Sequence, residues 1–195
     1  MMKEEWVYSS KYVMEQSGLD YWYFNAFCEL MEAIVPLGLH GACHSTSAIL
    51  HMLLSEKGLP SLIKIGVVES PKGPFDHSWV ESNDMIFDLA VAFPDKSGQY
   101  VGGPVFASID VDAMQRFGNE YGVTGVNLGV DASEISEISL RDYIRNAYEK
   151  DQKGGVENPV TIWQMAECIF NICGIDVAAD YLEEKYGDVR RVVAV

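Results

Sequence analysis

What this chain lacks narrows it first. No apolar run reaches the twenty or so residues needed to cross a bilayer, and the opening Met1-Met2-Lys3-Glu4-Glu5-Trp6 has no signal-peptide apolar region. Bases are scarce: 14 Lys and Arg stand against 29 Asp and Glu, for a formal net charge of −15. The imbalance is not a tail. Residues 1–130 carry 16 acids and 7 bases, and residues 131–195 carry 13 acids and 7 bases. With no basic patch, neither nucleic acid nor an anionic membrane surface is an expected partner. Cysteine is limited to Cys28, Cys43, Cys168 and Cys173, with no C-x-x-C pair. That pattern fits no small disulfide framework, and a reducing, cytoplasmic setting with free thiols is expected. Repeats, low-complexity tracts and convincing linkers are missing as well. The 195 residues therefore read as one domain spanning 1–195, with its core at about 19–110 and a helical C-terminal part at about 130–190.

What is there has a clear order. Residues 3–17 and 19–35 read as helices. In the second, Leu19, Tyr23, Phe27, Leu30 and Ile34 recur at three- and four-residue steps, and Pro36 with Gly38 stops it. A third helix is expected over 43–57, closed by Gly58 and Pro60. From Ser61 the period changes to two, which predicts a strand over 61–69. Two more strands are expected at Asp76–Ser82 and Met85–Val91, joined by Asn83-Asp84. Residues 94–104 form a long polar loop that is expected to border a site. A short helix near 110–118, and helices at 138–150, 159–172 and 175–186, complete the reading.

The chain is organised around Gly41-Ala42-Cys43-His44-Ser45-Thr46. A glycine-rich approach places Cys43 in the first turn of a helix. Unpaired backbone N–H groups and the positive dipole end there favour a thiolate, the nucleophilic form. A lone cysteine in such a place is more often a small buried residue, so the case depends on what lies downstream.

If Asn83-Asp84 is a two-residue turn, Ser82 faces Met85, Val80 faces Phe87, Trp79 faces Asp88 and His77 faces Ala90. His77, Trp79, Asp88 and Ala90 then share one face. His77 and Asp88 become diagonal cross-strand neighbours, within reach of imidazole and carboxylate. A thiol nucleophile needs a base in contact, and that base needs a third group to orient it. Cys43, His77 and Asp88 supply those three types.

Gly41-Ala42-Cys43 before a helix, then His77-Ser78-Trp79-Val80-Glu81, then Phe87-Asp88, resembles the transglutaminase-like superfamily over about residues 20–95. The resemblance implies an α+β fold of papain-like kind, with a nucleophile helix on an antiparallel sheet and additional C-terminal helices. It carries over Cys43 as nucleophile, His77 as base and Asp88 as its orienter. It needs no cofactor. The sequence departs from the pattern in having Leu89 to Phe93 between the aspartate and Pro94, and His44 directly after the nucleophile.

The expected activity is a cysteine hydrolase, a thiol peptidase or amidase that forms an acyl-thioester on Cys43 with a peptide or small amide as substrate. Acyl transfer or protein cross-linking is the second reading. A non-catalytic binding module, or a metal protein built on His40, Cys43, His44 and His51, is the third. Trp79, His40 and His44 are candidate substrate-binding residues. The Cys43 backbone N–H, with Gln16 or Asn25, is the candidate oxyanion hole. The helices after 136 are expected to shape the cleft. Cys28, Cys168 and Cys173 are expected in the core, as are Met52, Trp163 and Met165.

Overall fold

A computed structural model describes residues 4–37, 41–93 and 100–194. Helix α1 spans Glu4–Ser17 and α2 spans Tyr21–Ile34. Asp20 caps α2 by accepting from the Trp22 N–H at 2.8 Å. The apolar stripe of α2 is buried as its spacing predicts, with Phe27, Leu30 and Ile34 essentially inaccessible. A single turn of 3₁₀ helix, Val35–Leu37, ends the segment at Pro36. Helix α3 follows at Cys43–Glu56, and its apolar side packs on α2 and on the sheet.

Strands β1 (Leu62–Ser70) and β2 (Gly73–Ser82) form a long antiparallel hairpin closed by Ser70-Pro71-Lys72-Gly73. The second hairpin joins β2 to β3 (Met85–Phe87) in the register expected, with Ser82 opposite Met85 and Val80 opposite Phe87. Asn83 and Asp84 both adopt positive φ, 50° and 59°, the requirement of a type I′ turn. Asn and Asp tolerate that conformation better than other side chains. Gly66 sits where β1 is closely approached. A Cβ there would meet the Trp79 ring at 3.0 Å and the Ala194 side chain at 3.1 Å.

The expected strand to Val91 ends early. Asp88 leaves β2 for a single bridge to Val105, and Ala90–Ala92 coils into 3₁₀ helix. The reason is local: the Asp88 Oδ1 accepts from the N–H groups of Ala90 and Val91, turning the chain as a cap does. His77 consequently has no partner at Ala90. The helix expected near 110–118 is also replaced. Short strands β4 (Val105–Phe106), β5 (Ile109–Asp110) and β6 (Gln115–Arg116) form a small meander there. Ala107, Ser108 and Met114 take positive φ in its turns, which a helix forbids.

Strand β7 (Glu120–Tyr121) then pairs with β1. The C-terminal part is helical, with α4 (Val130–Glu137), α5 (Leu140–Lys153), α6 (Ile162–Ile172) and α7 (Ala179–Tyr186). The start of α6 lies three residues beyond Pro159, where Thr161 and Gln164 make a capping box. The chain returns as β8 (Val192–Val193), parallel to β1. The main sheet thus has five strands in the order β3-β2-β1-β7, with β8 also on β1, and is not purely antiparallel. The architecture is α+β, with α3 lying across the sheet. No helix among the described residues is long and apolar enough to cross a membrane.

The core joins α2, α3, the hairpins and α6. Phe87 is its aromatic hinge, stacked on Tyr23 at 5.1 Å and edge-on to Phe106 at 5.2 Å. Cys28, Cys173, Met52 and Trp163 are buried as expected, and Met165 packs against the core. Cys168 is not: it lies on the exposed side of α6. Truncating Phe87 to Ala is expected to cost about 3–5 kcal/mol in urea unfolding. Tyr8→Ala, at a site 74 % exposed, should change stability by less than about 0.5 kcal/mol.

Candidate active site

Cys43 is the first residue of α3, and its side chain is buried at the foot of a cleft. Gly41 enters at φ +67°, a turn that glycine makes without strain. The helix has no side-chain cap, because Ala42 occupies the N-cap position. The first-turn N–H groups therefore have no capping side chain, and that end of the helix favours negative charge.

His77, on β2, lines the same cleft as the Cys43 thiol, near enough for the sulfur to act on the charge of the ring. Its Nε2 lies 2.7 Å from the Asp88 Oδ2, so Nδ1 is the ring nitrogen free for the sulfur. Both partners are nearly inaccessible, His77 at 5 % and Asp88 at 2 % exposure. Burial alone lowers the pKa of the ring. The Asp88 carboxylate and Cys43 outweigh it and raise the value to about 10. The imidazole is thus held as imidazolium at neutral pH.

Asp88 is fixed on all sides. Oδ1 accepts from the N–H groups of Ala90 and Val91 at 3.0 and 3.1 Å, and Oδ2 accepts from the Tyr121 hydroxyl at 2.7 Å as well as from His77. Tyr121 also lies edge-on to His77 and to Trp79, at 6.5 and 5.0 Å between ring centres. Burial first, then the Asp88 charge, pushes its phenol well above the ordinary value, so it remains a donor. The sequence reading missed Tyr121. It sits in a two-residue strand with no periodicity, and it reaches the site only through the pairing of β7 with β1.

The cleft has a volume of about 260 Å³. Gly41, Ala42, Cys43 and His77 form its floor. Phe75, Ala90, Val91, Phe93 and Val101 make an apolar wall, and Ser70, Lys72 and Asp76 stand at the β1–β2 turn. Val101 bears out the expectation that the 94–104 loop borders the site; residues 94–99 lie outside the described residues. The Lys72 ammonium donates to the Tyr100 carbonyl, and Asp76 accepts from the Gly129 N–H at 3.1 and 3.2 Å. Both rim charges thus tether neighbouring loops. None of α4 to α7 is among the lining elements, so the helices after 136 do not shape this cleft.

Several candidates fall elsewhere. Trp79 shares the His77 face but is 1 % exposed, donates to Glu81 at 3.0 Å and packs on Tyr121. It backs the His77–Asp88 pair rather than lining the cleft. His44 points away from the cleft, its Nδ1 2.7 Å from the Ser78 hydroxyl. Burial, then the Arg191 guanidinium and His77, lower its pKa to about 3. Gln16 is exposed at the end of α1, and Asn25 is half-buried on α2; neither lines the cleft. His40 lies outside the described residues. His51 is half-buried and engages Ser61 at 2.8 Å. Among the described residues no three His, Cys, Asp or Glu side chains gather as a metal site. His44 and His51 are each committed to a hydroxyl.

Burial pushes the Cys28 thiol up to about 12 and that of Cys173 up to about 11. Limiting iodoacetamide at neutral pH is therefore expected to modify Cys43 first. Peptide mass mapping that finds Cys168, Cys28 or Cys173 labelled ahead of Cys43 overturns the site. His77→Ala should slow Cys43 alkylation about tenfold or more near neutral pH, without loss of the circular dichroism of the fold.

The raised pKa of His77 has a sign in stability. A folded value above the ordinary 6.5 means the charged ring contributes fully below about pH 6.5, and the contribution is lost as pH rises through about 10. The melting-temperature gap between wild type and His77→Gln should accordingly narrow from about pH 6 to about pH 10. A gap that stays constant over that range would show that the ring is not held charged.

A family model matches part of the chain. Residues 21–99 fit the family model described as transglutaminase-like superfamily. No curated protein and no solved structure matches the chain. The matched segment holds Cys43, His77 and Asp88, the three residues that the fold brings together at the cleft. The likeness to the transglutaminase-like superfamily thus covers residues 21–99 of this chain, the segment that supplies Cys43, His77 and Asp88.

Proposed function

We propose that this protein is a cysteine hydrolase, a peptidase or amidase working through an acyl-thioester on Cys43. One observation carries the reading: a thiol at an uncapped helix start shares its cleft with an imidazole whose Nε2 is hydrogen-bonded to a fixed carboxylate at 2.7 Å. The Cys43 thiolate attacks the substrate carbonyl carbon. The developing oxyanion lies against the helix start, where the Cys43 N–H is the donor at hand. As the C–N bond breaks, the His77 imidazolium gives its proton to the leaving amine. Water then attacks the thioester carbonyl, passing a proton to His77, and the C–S bond breaks to release the acid. Asp88 accepts from Nε2–H throughout and stabilises the imidazolium that forms, without taking its proton.

The cleft suggests what it holds. At about 260 Å³ it lies just below the usual range for a small-molecule site, roughly 300–1,000 Å³. With Phe75, Val91, Phe93 and Val101 on its wall, it suits one apolar side chain or a short acyl group, the rest of the substrate lying along the open rim. A peptide or small amide fits that arrangement, and the reaction calls on no cofactor. Water is the proposed acceptor because the sequence carries no recognisable second substrate-binding motif to hold an amine.

The test is a screen of peptides and small amides, with and without added primary amines, with products identified by mass. Free acid is expected to dominate, and Cys43→Ala should abolish it. Amine adducts that outweigh hydrolysis at modest amine concentration would replace the hydrolase by an acyl transferase using the same three residues. Failure to form an acyl-enzyme on any substrate, with Cys43 reactive toward iodoacetamide, would favour a binding module.

A further inference from the structure

Behind Cys43 lies a buried charge with no carboxylate partner among the described residues. Arg191, the residue before β8, is 4 % exposed, and its Nε and Nη1 have no hydrogen-bond partner among the described residues. Nη2 reaches the His44 carbonyl at 3.5 Å, and the guanidinium lies 4.4 Å from the centre of the Tyr143 ring. Tyr143, from α5, stands edge-on to His44 at 5.7 Å, with its hydroxyl 3.5 Å from that of Ser45. Arg191 is therefore packed against the first turn of α3 at His44, the residue that follows Cys43, and stacks on the Tyr143 ring that reaches Ser45.

A guanidinium does not shed its proton in a protein, and an uncompensated buried charge is costly. A carbonyl and a ring face offset only part of that cost. The groups around it leave one candidate for the rest. His44 is held neutral, its pKa lowered to about 3. The Tyr143 phenol is pushed up, chiefly by burial, and stays neutral. On the other side of Cys43, the His77 imidazolium is balanced by Asp88. The site thus carries no net charge until Arg191 is counted, and one positive charge with it. A Cys43 thiolate brings the sum to zero.

We propose that Arg191 is a positioning residue for the nucleophile, its unpaired guanidinium behind the first turn of α3 supplying the positive charge that keeps Cys43 as thiolate. This rests on Cys43 being the nucleophile, and it adds a residue from the far end of the chain, outside the segment that matches the family model.

The experiment is the pH profile of Cys43 alkylation by iodoacetamide, which needs no substrate. In Arg191→Met and Arg191→Gln the midpoint should move up by about one pH unit, slowing alkylation about tenfold on the acid side. Arg191→Lys, which keeps the charge, should stay within about half a unit of wild type. Neutral variants that fold and keep the wild-type midpoint overturn the proposal, since shape alone would then account for Arg191. If the neutral variants do not fold, the Lys variant decides: a midpoint shifted up by a full unit overturns it, and a wild-type midpoint upholds it. A wild-type protein in which Cys43 resists alkylation across the whole range instead overturns the nucleophile reading.

Discussion

The hydrogen bond between His77 and Asp88 places a charged ring and a carboxylate almost wholly out of water. Such a pair survives only if each partner is held where the other needs it and the remaining lone pairs are satisfied. Here the backbone does the holding. The type I′ turn at Asn83-Asp84 sets the register of β2 on β3, and a slip of one residue would send His77 and Asp88 to opposite faces. Asp88 then leaves the strand, bridged to Val105 by two backbone bonds of 2.8 Å. Its side chain takes two N–H bonds from the following turn and one from Tyr121. The small meander of β4–β6 and the short β7 look like ornament in the topology. They supply the bridge and the phenol that pin the carboxylate.

The parts of the fold legible in the sequence are those governed by local rules. Helices α1, α2 and α3 follow from apolar spacing and from the stops at Gly18, Pro36 and Gly58. The β1–β2–β3 region follows from alternation and turn chemistry. Where two-residue strands replace long ones, there is no period to read. Residues 105–121 take their conformation from positive-φ turns and from partners far away in the chain. The Asp88 turn was missed for a different reason. The run from Leu89 to Ala92 is apolar enough to continue a strand, and only the side-chain bonds of Asp88 redirect it.

Site residues divide the same way. Cys43, His77 and Asp88 could be placed because a helix start and a hairpin fix their relative positions within one continuous segment. Tyr121 and Arg191 reach the site by pairing with β1 at two different points, Val68 with Tyr121 and Lys64 with Val192, and no local signal announces such returns. His44 misled because proximity in sequence to Cys43 is not proximity to the cleft. On a helix, the next residue points about 100° away, and His44 faces Ser78 and Tyr143 instead.

The start of α3 shows what the site costs. Asp20, Ser139 and Thr161 each cap a helix with a side-chain oxygen, while α3 begins on Ala42 with none, as α4 and α7 begin on Gly129 and Ala178. A polar cap in place of Ala is ordinarily worth about 1 kcal/mol. A capping oxygen at position 42 would occupy the N–H groups of the first turn and set a negative dipole end against the Cys43 sulfur. In the proposed reaction, leaving the cap out keeps those donors for the developing charge, at a stability loss that the dense packing of α3 on α2, α6 and the sheet can absorb. The site is therefore asymmetric in its design. Its back, made of Trp79, Tyr121, Asp88 and the Arg191–Tyr143 stack, is closed and buried, and its front is an apolar cleft with unused hydrogen-bonding capacity at the helix start. In the proposed reaction, fixed charges behind the thiol and uncapped N–H groups at the helix start would let the sulfur be anionic before attack and its negative charge be received elsewhere during it.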